Sequence, residues 1–409
     1  MAARFPPPPP WSHEICSIGV TGTNGKTSTT SFLAAMLEAA HAPVIRATTL
    51  GMFLGTEEQQ DLPKSHTGFL KLAERGHTRG ARYAALEVTS QALARGFAQG
   101  WPFRAAIFTN LTHDHLDAHD SPEHYFASKA QLFVHLPPGG FAIVNGADEA
   151  APLLLEVTPE HVTRLCYGAP SRGAAQVPLD VSLEGLEVSW GGTRARLTCH
   201  SDRARALELP TQLELGAVGE IYLENAVAAL LAAAAIGIPA AGAARLLKAQ
   251  RAPRGRFEVV HEQPYVVIDY AHSPDALERT LATARSLTSG KLTAIFGAGG
   301  NRDAAKRPAM GRAARVADQV VLTTDNPRDE SPLRIAEAIA TGLQERGSPN
   351  SQIQLDRALA IQQALAQASP ADTVVIAGKG HEAGGDPSRR TLGEGDHELV
   401  RRAVAAIRS

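Results

Sequence analysis

Gly19-Val-Thr-Gly-Thr-Asn-Gly-Lys-Thr-Ser28 follows a short apolar run, Ile15-Cys-Ser-Ile-Gly-Val20, and opens an amphipathic segment, Thr30-Ser-Phe-Leu-Ala-Ala-Met-Leu37. Strand, glycine turn and helix start are the setting in which a phosphate-binding loop forms. The glycines let backbone N–H groups approach phosphate oxygens. Lys26 adds a point charge, the Thr27 hydroxyl can hold Mg²⁺, and the helix N-terminus favours the anion. The strict spacing wants glycine at position 20, where this chain has Val20 between Gly19 and Gly22. The context outweighs that departure, so Gly22, Thr23, Asn24, Gly25, Lys26, Thr27 and Ser28 are expected to bind a nucleoside triphosphate.

The rest of the sequence limits what such a loop serves. At 409 residues the chain is too long for one ordinary core. With 44% hydrophobic and 20% charged residues it reads as a soluble globular protein. A net charge of −2 argues against nucleic acid as a partner. The three cysteines lack metal-type spacing and read as reduced thiols in a cytoplasmic protein. No run is long enough to span a membrane, and nothing near the start resembles a signal peptide. Pro6 to Pro10 form a stiff run, read here as a spacer.

From residue 14 to about 145, strand-like runs such as Tyr83-Ala-Ala-Leu86, Ala105-Ala-Ile-Phe108 and Phe141-Ala-Ile-Val144 alternate with helical patterns. That alternation predicts a mostly parallel sheet covered by helices. Residues 160–216 turn to short alternating segments, which fit a small antiparallel layer, and an Ala/Leu helix follows from about 221 to 236. Arg251-Ala-Pro-Arg-Gly-Arg256 reads as a linker. The βα pattern then resumes in Tyr265-Val-Val-Ile268, Leu292-Thr-Ala-Ile-Phe296, Gln319-Val-Val-Leu322 and Thr373-Val-Val-Ile-Ala377. The expectation is an α/β chain: a proline-rich stub (1–13), a P-loop central ATP-binding domain (14–253) and a Rossmann-like C-terminal α/β domain (254–409).

Ten motifs, in order and across nearly the whole chain, resemble those of the Mur ligase family, closest to the MurE type. They are Gly22-Thr-Asn-Gly-Lys-Thr27, Leu86-Glu-Val-Thr-Ser90, Phe108-Thr-Asn-Leu-Thr-His-Asp-His-Leu-Asp117, His124-Tyr-Phe-Ala-Ser-Lys129, Gly255-Arg-Phe-Glu258, Asp269-Tyr-Ala-His-Ser-Pro-Asp275, Gly299-Gly-Asn-Arg-Asp303, Lys306-Arg-Pro308, Thr324-Asp-Asn-Pro-Arg328 and Ala377-Gly-Lys-Gly-His-Glu382. The resemblance implies an acid–amino acid ligase that activates a carboxylate with ATP as an acyl phosphate and then forms an amide. Two Mg²⁺ ions are implied, with Thr27, Glu87, His115 and a carbamylated Lys129 around them, and Lys26, Glu87, His115 and Lys129 as catalytic residues. Asn225, Arg256, Asp269 and His272 are implied at the nucleotide, although Tyr222 replaces a second asparagine of the adenine motif. Ser90, Asn110, Arg302, Asp325, Asn326, Arg328, Gly378 and Glu382 are implied at the substrates. The arginine of Asp325-Asn-Pro-Arg328 goes with meso-diaminopimelate, whose distal carboxylate suits a guanidinium. Domain closure would assemble such a site around the reactive intermediate. A monomer acting on small molecules is expected.

The sequence also departs from the family. MurE-type enzymes carry, before the phosphate loop, a domain of about 90 residues that holds the uridine nucleotide of the acceptor, too large for the residues preceding Glu14 here. Their Ser-Ser-His sequence is Thr89-Ser90-Gln91 in this chain, Phe97 stands where an arginine is expected, and Pro63-Lys-Ser-His-Thr67 replaces a Thr-Thr-Pro acceptor motif. These differences predict a carboxylate acceptor lacking UDP. The alternatives are ordinary MurE activity on a UDP-muramoyl dipeptide, or a nucleotide-binding regulator without catalysis.

Overall fold

The computed structural model describes residues 5–112, 121–169, 173–344, 350–382 and 394–408. The chain forms two compact units, Met1–Arg251 and Ala252–Ser409.

The first unit is built on one eleven-stranded sheet. From edge to edge its strands are Gln212–Leu215, Gly192–Cys199, Val181–Ser189, Thr163–Gly168, Phe141–Asn145, Ala105–Phe108, Cys16–Thr21, Tyr83–Glu87, Ile45–Thr48, Gly51–Leu54 and Glu57–Glu58. The seven from Val181–Ser189 to Ile45–Thr48 run parallel, and the strands outside them pair antiparallel. The antiparallel segment expected near residues 160–216 is therefore no separate layer. Its strands extend the parallel sheet, because Val181–Ser189 continues the ladder beside Thr163–Gly168.

The central strands are continuous apolar runs because helices cover both faces, which leaves no solvent side to carry polar residues. Ile18, Val20, Ala105, Ile107 and Phe108 are fully buried. Cys16–Thr21 has Tyr83–Glu87 on one side and Ala105–Phe108 on the other, so the chain reverses its direction of travel across the sheet here. Such a switch point opens a crevice at the carboxyl ends of the strands.

The proline run is no free spacer. The residues that flank it carry aromatic rings worth burying, and these bind it to the first unit's core. Phe5 lies 4.2 Å from the His66 ring and 5.8 Å from Phe97, while Trp11 stacks on His77 at 4.9 Å. The thiols of Cys16 and Cys166 are pushed up to about 11 and about 12 by burial, as expected of inert structural cysteines.

The second unit holds a six-stranded sheet in the order Glu258–Glu262, Tyr265–Asp269, Thr373–Ala377, Leu292–Phe296, Gln319–Leu322, Asn350–Ile353. Only the first pair is antiparallel. The loops at the carboxyl ends of the parallel strands carry every substrate motif assigned to this half of the sequence.

His66 gives this fold a pH signature. Both ring nitrogens are buried without a hydrogen-bond partner among the described residues, and burial pushes the imidazole pKa down. The unfolded chain therefore takes up the proton first as pH falls through about 6.5, so acidification across that window destabilises the fold. The drop in Tm from about pH 7.5 to about pH 5.5 should be smaller in His66→Phe than in the parent; equal drops would contradict the burial argument.

Candidate functional site

The parallel register builds the first half of the site. Val20 pairs with Glu87 and Thr21 with Phe108. The turn after Thr21 thus emerges between the end of one strand, which carries Glu87, and the start of Thr109-Asn110. Glu87 is the last residue of its strand, where a carboxylate can lean over the loop.

Gly25 caps the helix Lys26–Ala40 at φ +87°, a conformation open to glycine, and no side chain caps the helix. A Cβ on Gly25 would lie 2.5 Å from Asn225 Oδ1, and one on Gly22 would overlap Thr109 Oγ1. The loop is thus a cradle that fits only without side chains at these two positions. Asn110 pins it from just past the end of Ala105–Phe108: its Oδ1 accepts from Asn24 N at 2.9 Å and its Nδ2 donates to Asn24 O at 3.1 Å.

Lys26 Nζ donates to the loop carbonyls of Thr23 and Gly22 at 2.8 and 3.0 Å. Thr27 Oγ1 donates to Glu87 Oε2 at 2.9 Å, and Thr49 N donates to the same oxygen at 3.1 Å. Lys129, on the helix Pro122–Val134, is 2% exposed, donates to Gly22 O at 2.7 Å and lies 4.3 Å from the Tyr125 ring centroid. Asn225 is buried on the helix Glu220–Ala235 beside the loop. Ser90 is buried at the start of the helix Ser90–Ala94, whose cap is Thr89. The structure therefore gathers Thr27 and Glu87 into one hydrogen-bonded cluster and brings Lys129 to the same loop at Gly22. The oxygen pair of Thr27 and Glu87 is the donor chemistry a hard divalent cation takes. His115 lies outside the described residues; among these, no group of three or more His, Cys, Asp or Glu side chains could hold a metal.

In the second unit, Asp269 ends the strand Tyr265–Asp269 and is buried. It accepts from Phe257 N at 2.5 Å, Ala271 N at 2.8 Å and Thr280 Oγ1 at 3.1 Å. Burial pushes its carboxyl up against the pull of those N–H groups and of Arg256. Asp269 therefore braces the turn of Gly255-Arg-Phe-Glu258, and Arg256 sits 4.2 Å over the Tyr270 ring. His272 Nδ1 pairs with Tyr270 O at 2.9 Å.

The remaining substrate candidates converge. Glu382 accepts from Tyr270 OH at 3.1 Å and from Asn326 Nδ2 at 3.0 Å. Burial and the Glu382 charge push the Tyr270 hydroxyl up to about 12, so it stays a donor. A Cβ on Gly299 would meet Arg328 Nη1 at 2.9 Å and Arg302 Cγ at 3.6 Å, so both arginines gather at that glycine. Arg328 itself takes φ +51° and donates to Gly300 O at 2.7 Å. Gly378, at φ +110°, abuts the Asp325 carboxylate. The cluster offers both cationic and anionic partners, as a zwitterionic amino acid with a charged far end requires.

Four neighbours escaped the sequence reading: Thr49, Thr109, Tyr125 and Tyr270. The last three lie inside quoted motifs and were open to detection. Thr49 follows a short strand that carries no motif.

Comparison with known proteins places these clusters in context. The Mur ligase middle domain matches residues 20–233, and the Mur ligase, glutamate ligase domain matches residues 255–380. A UDP-N-acetylmuramoyl-L-alanyl-D-glutamate–2,6-diaminopimelate ligase of Aquifex aeolicus (strain VF5) is 38% identical over 376 residues, covering 91% of this chain and 73% of that protein. The chain belongs to the Mur ligase family. It is an ATP-dependent amide-forming ligase. The protein of the same name from Bacillus velezensis (strain DSM 23117 / BGSC 10A6 / LMG 26770 / FZB42) is 36% identical, covering 95% of this chain and 78% of its own length. A solved structure of such a diaminopimelate ligase superposes with a TM-score of 0.66 at 31% identity, covering 97% of this chain and 79% of that one. Among the described residues, no helix is long and apolar enough to cross a membrane.

The cradle geometry predicts a sharp response to one methyl group. Gly25→Ala should weaken ADP or ATP binding by about tenfold or more in calorimetry, since it adds backbone strain and a clash with Asn225. Binding at parental affinity would remove the loop conformation from recognition.

Proposed function

We propose that this ligase adds meso-diaminopimelate, or an amino acid of the same charge pattern, to the UDP-N-acetylmuramoyl dipeptide named for its relatives. The convergence of Arg302, Arg328, Asn326, Asp325 and Glu382 supports the amino acid most directly, because a substrate with carboxylate and ammonium at its far end needs partners of both signs. The names of relatives matching nine-tenths of the chain support the acceptor. An acceptor without UDP, expected from the proline-rich start and from Gln91 and Phe97, gives way to that reading.

In the first unit, Lys26 and the N–H groups opening the helix Lys26–Ala40 would bind the phosphates of ATP. Thr27 and Glu87, with His115 and Lys129, would hold Mg²⁺, which neutralises phosphate charge and orients the transferred group. We propose Ser90 and Asn110 for the acceptor side and Asn225, Arg256, Asp269 and His272 for the nucleotide. A carbamate on Lys129 would turn a cation into an anion suited to a second Mg²⁺. The acceptor carboxylate would attack the γ-phosphoryl group with ADP leaving; the amine would then attack the acyl carbon, the C–O bond to phosphate would break, and the amine's proton would pass to phosphate or solvent.

Two tests follow. Product from MgATP, UDP-muramoyl dipeptide and meso-diaminopimelate, identified by mass, should greatly exceed product with lysine. Arg328→Ala should narrow that preference by about tenfold, since it removes the guanidinium proposed to pair with the distal carboxylate, and hydrogen bonds to charged groups are worth about 1.5–3 kcal/mol. An unchanged ratio would refute the assignment. Lys129→Ala should be nearly inactive and partly rescued by short carboxylic acids; full activity in the variant would remove Lys129 from catalysis.

A further inference from the structure

One buried ion pair of the second unit lies outside every role assigned so far. Arg357 opens the helix Arg357–Gln367 and Asp396 opens the helix Asp396–Arg408. They are 8% and 1% exposed. Arg357 Nε donates to Asp396 Oδ1 at 2.7 Å and Nη2 to Oδ2 at 2.8 Å, a bidentate fork. Burial opposes the guanidinium charge, and the paired Asp396 carboxylate overcomes it.

The fork is not closed on itself. Arg357 Nη2 also donates to Ala377 O at 3.0 Å. Ala377 is the last residue of the strand Thr373–Ala377, and Gly378 to Glu382 leave from it. The Gly378 backbone in turn abuts Asp325, whose carboxyl is pushed up by burial and pulled down by the Arg357 and Lys379 charges. Asp325 Oδ1 and Arg357 Nη1 are both buried without a hydrogen-bond partner among the described residues. One is an acceptor and the other a donor, and both belong to groups that border the amino-acid cluster.

Stability alone does not account for such a pair. Replacing a buried ion pair by apolar side chains of similar volume is often neutral or stabilising, whereas removing one partner strands a charge. What apolar residues cannot do is hold a strand-end carbonyl and a neighbouring carboxylate in fixed directions.

We propose that Arg357 and Asp396 are positioning residues for the amino-acid subsite: Asp396 orients Arg357, which fixes the end of the strand that delivers Gly378 and Glu382 and holds the Asp325 carboxylate ready for the incoming ammonium group. This inference rests on the amino-acid reading above. It assigns function to a pair that touches no substrate.

The test is the double variant Arg357→Met with Asp396→Leu, which removes both charges and strands neither. Its Tm should stay near that of the parent, its KM for the amino acid should rise by about tenfold or more, and its KM for ATP should not move. Arg357→Lys keeps the charge but loses the fork, so its KM for the amino acid should rise by a smaller factor with Tm retained. A folded double variant with parental KM for the amino acid makes the pair purely structural and overturns the inference. If the double variant fails to fold, parental KM in Arg357→Lys overturns it. Which amino acid the parent uses tests the proposed function, and the variant-to-parent KM ratio for that amino acid tests the positioning role, so the two can fail separately.

Discussion

The parallel register of three buried strands organises the first unit. Cys16–Thr21 is locked between Tyr83–Glu87 and Ala105–Phe108, so the phosphate loop leaves the sheet with Glu87 on one flank and Thr109-Asn110 on the other. A slip of one residue would turn each of these side chains to the opposite face. It would separate Thr27 from Glu87 and Asn110 from Asn24. The apolar core beneath is therefore what sets the spacing of the polar groups above it.

The second unit repeats the principle with different chemistry. Its strands also end at one edge, but their loops carry paired charges in place of a backbone cradle. Asp269 holds the Gly255–Glu258 turn, and Tyr270 and Asn326 hold Glu382. Arg302 and Arg328 crowd a glycine, and Arg357 ties the end of Thr373–Ala377 to the Asp396 carboxylate. Oxygen donors and N–H groups in the first unit fit phosphate and a hard cation; mixed charges in the second fit a zwitterion. The proposed division of labour follows from which donors each set of loops carries.

Much of this was legible because the signals are local. The βα alternation follows from continuous apolar runs punctuated by glycine, and the phosphate loop from glycines that must adopt special backbone angles. The helix at 220–235 stands out by composition. Other features escaped local reading. The antiparallel strands were expected as their own layer, since hydrophobic alternation reports a strand's pairing style but not its neighbour. The proline run suggested a spacer, because the sequence shows its stiffness but not that Phe5 and Trp11 find aromatic partners more than 60 residues away.

By itself the sequence determined the family and the fold class and named the candidate residues of the site, because backbone preference, apolar periodicity and motif order are properties of neighbouring residues. Only the tertiary structure decided the cross-strand facts: Thr49 joining Glu87, Asn225 closing on Gly25, Tyr270 steering Glu382, and Arg357 joining Asp396 to the end of the last parallel strand. Each contact spans at least 20 positions of the sequence. Their separation in space is set by sheet register and helix packing, and no local pattern encodes that distance.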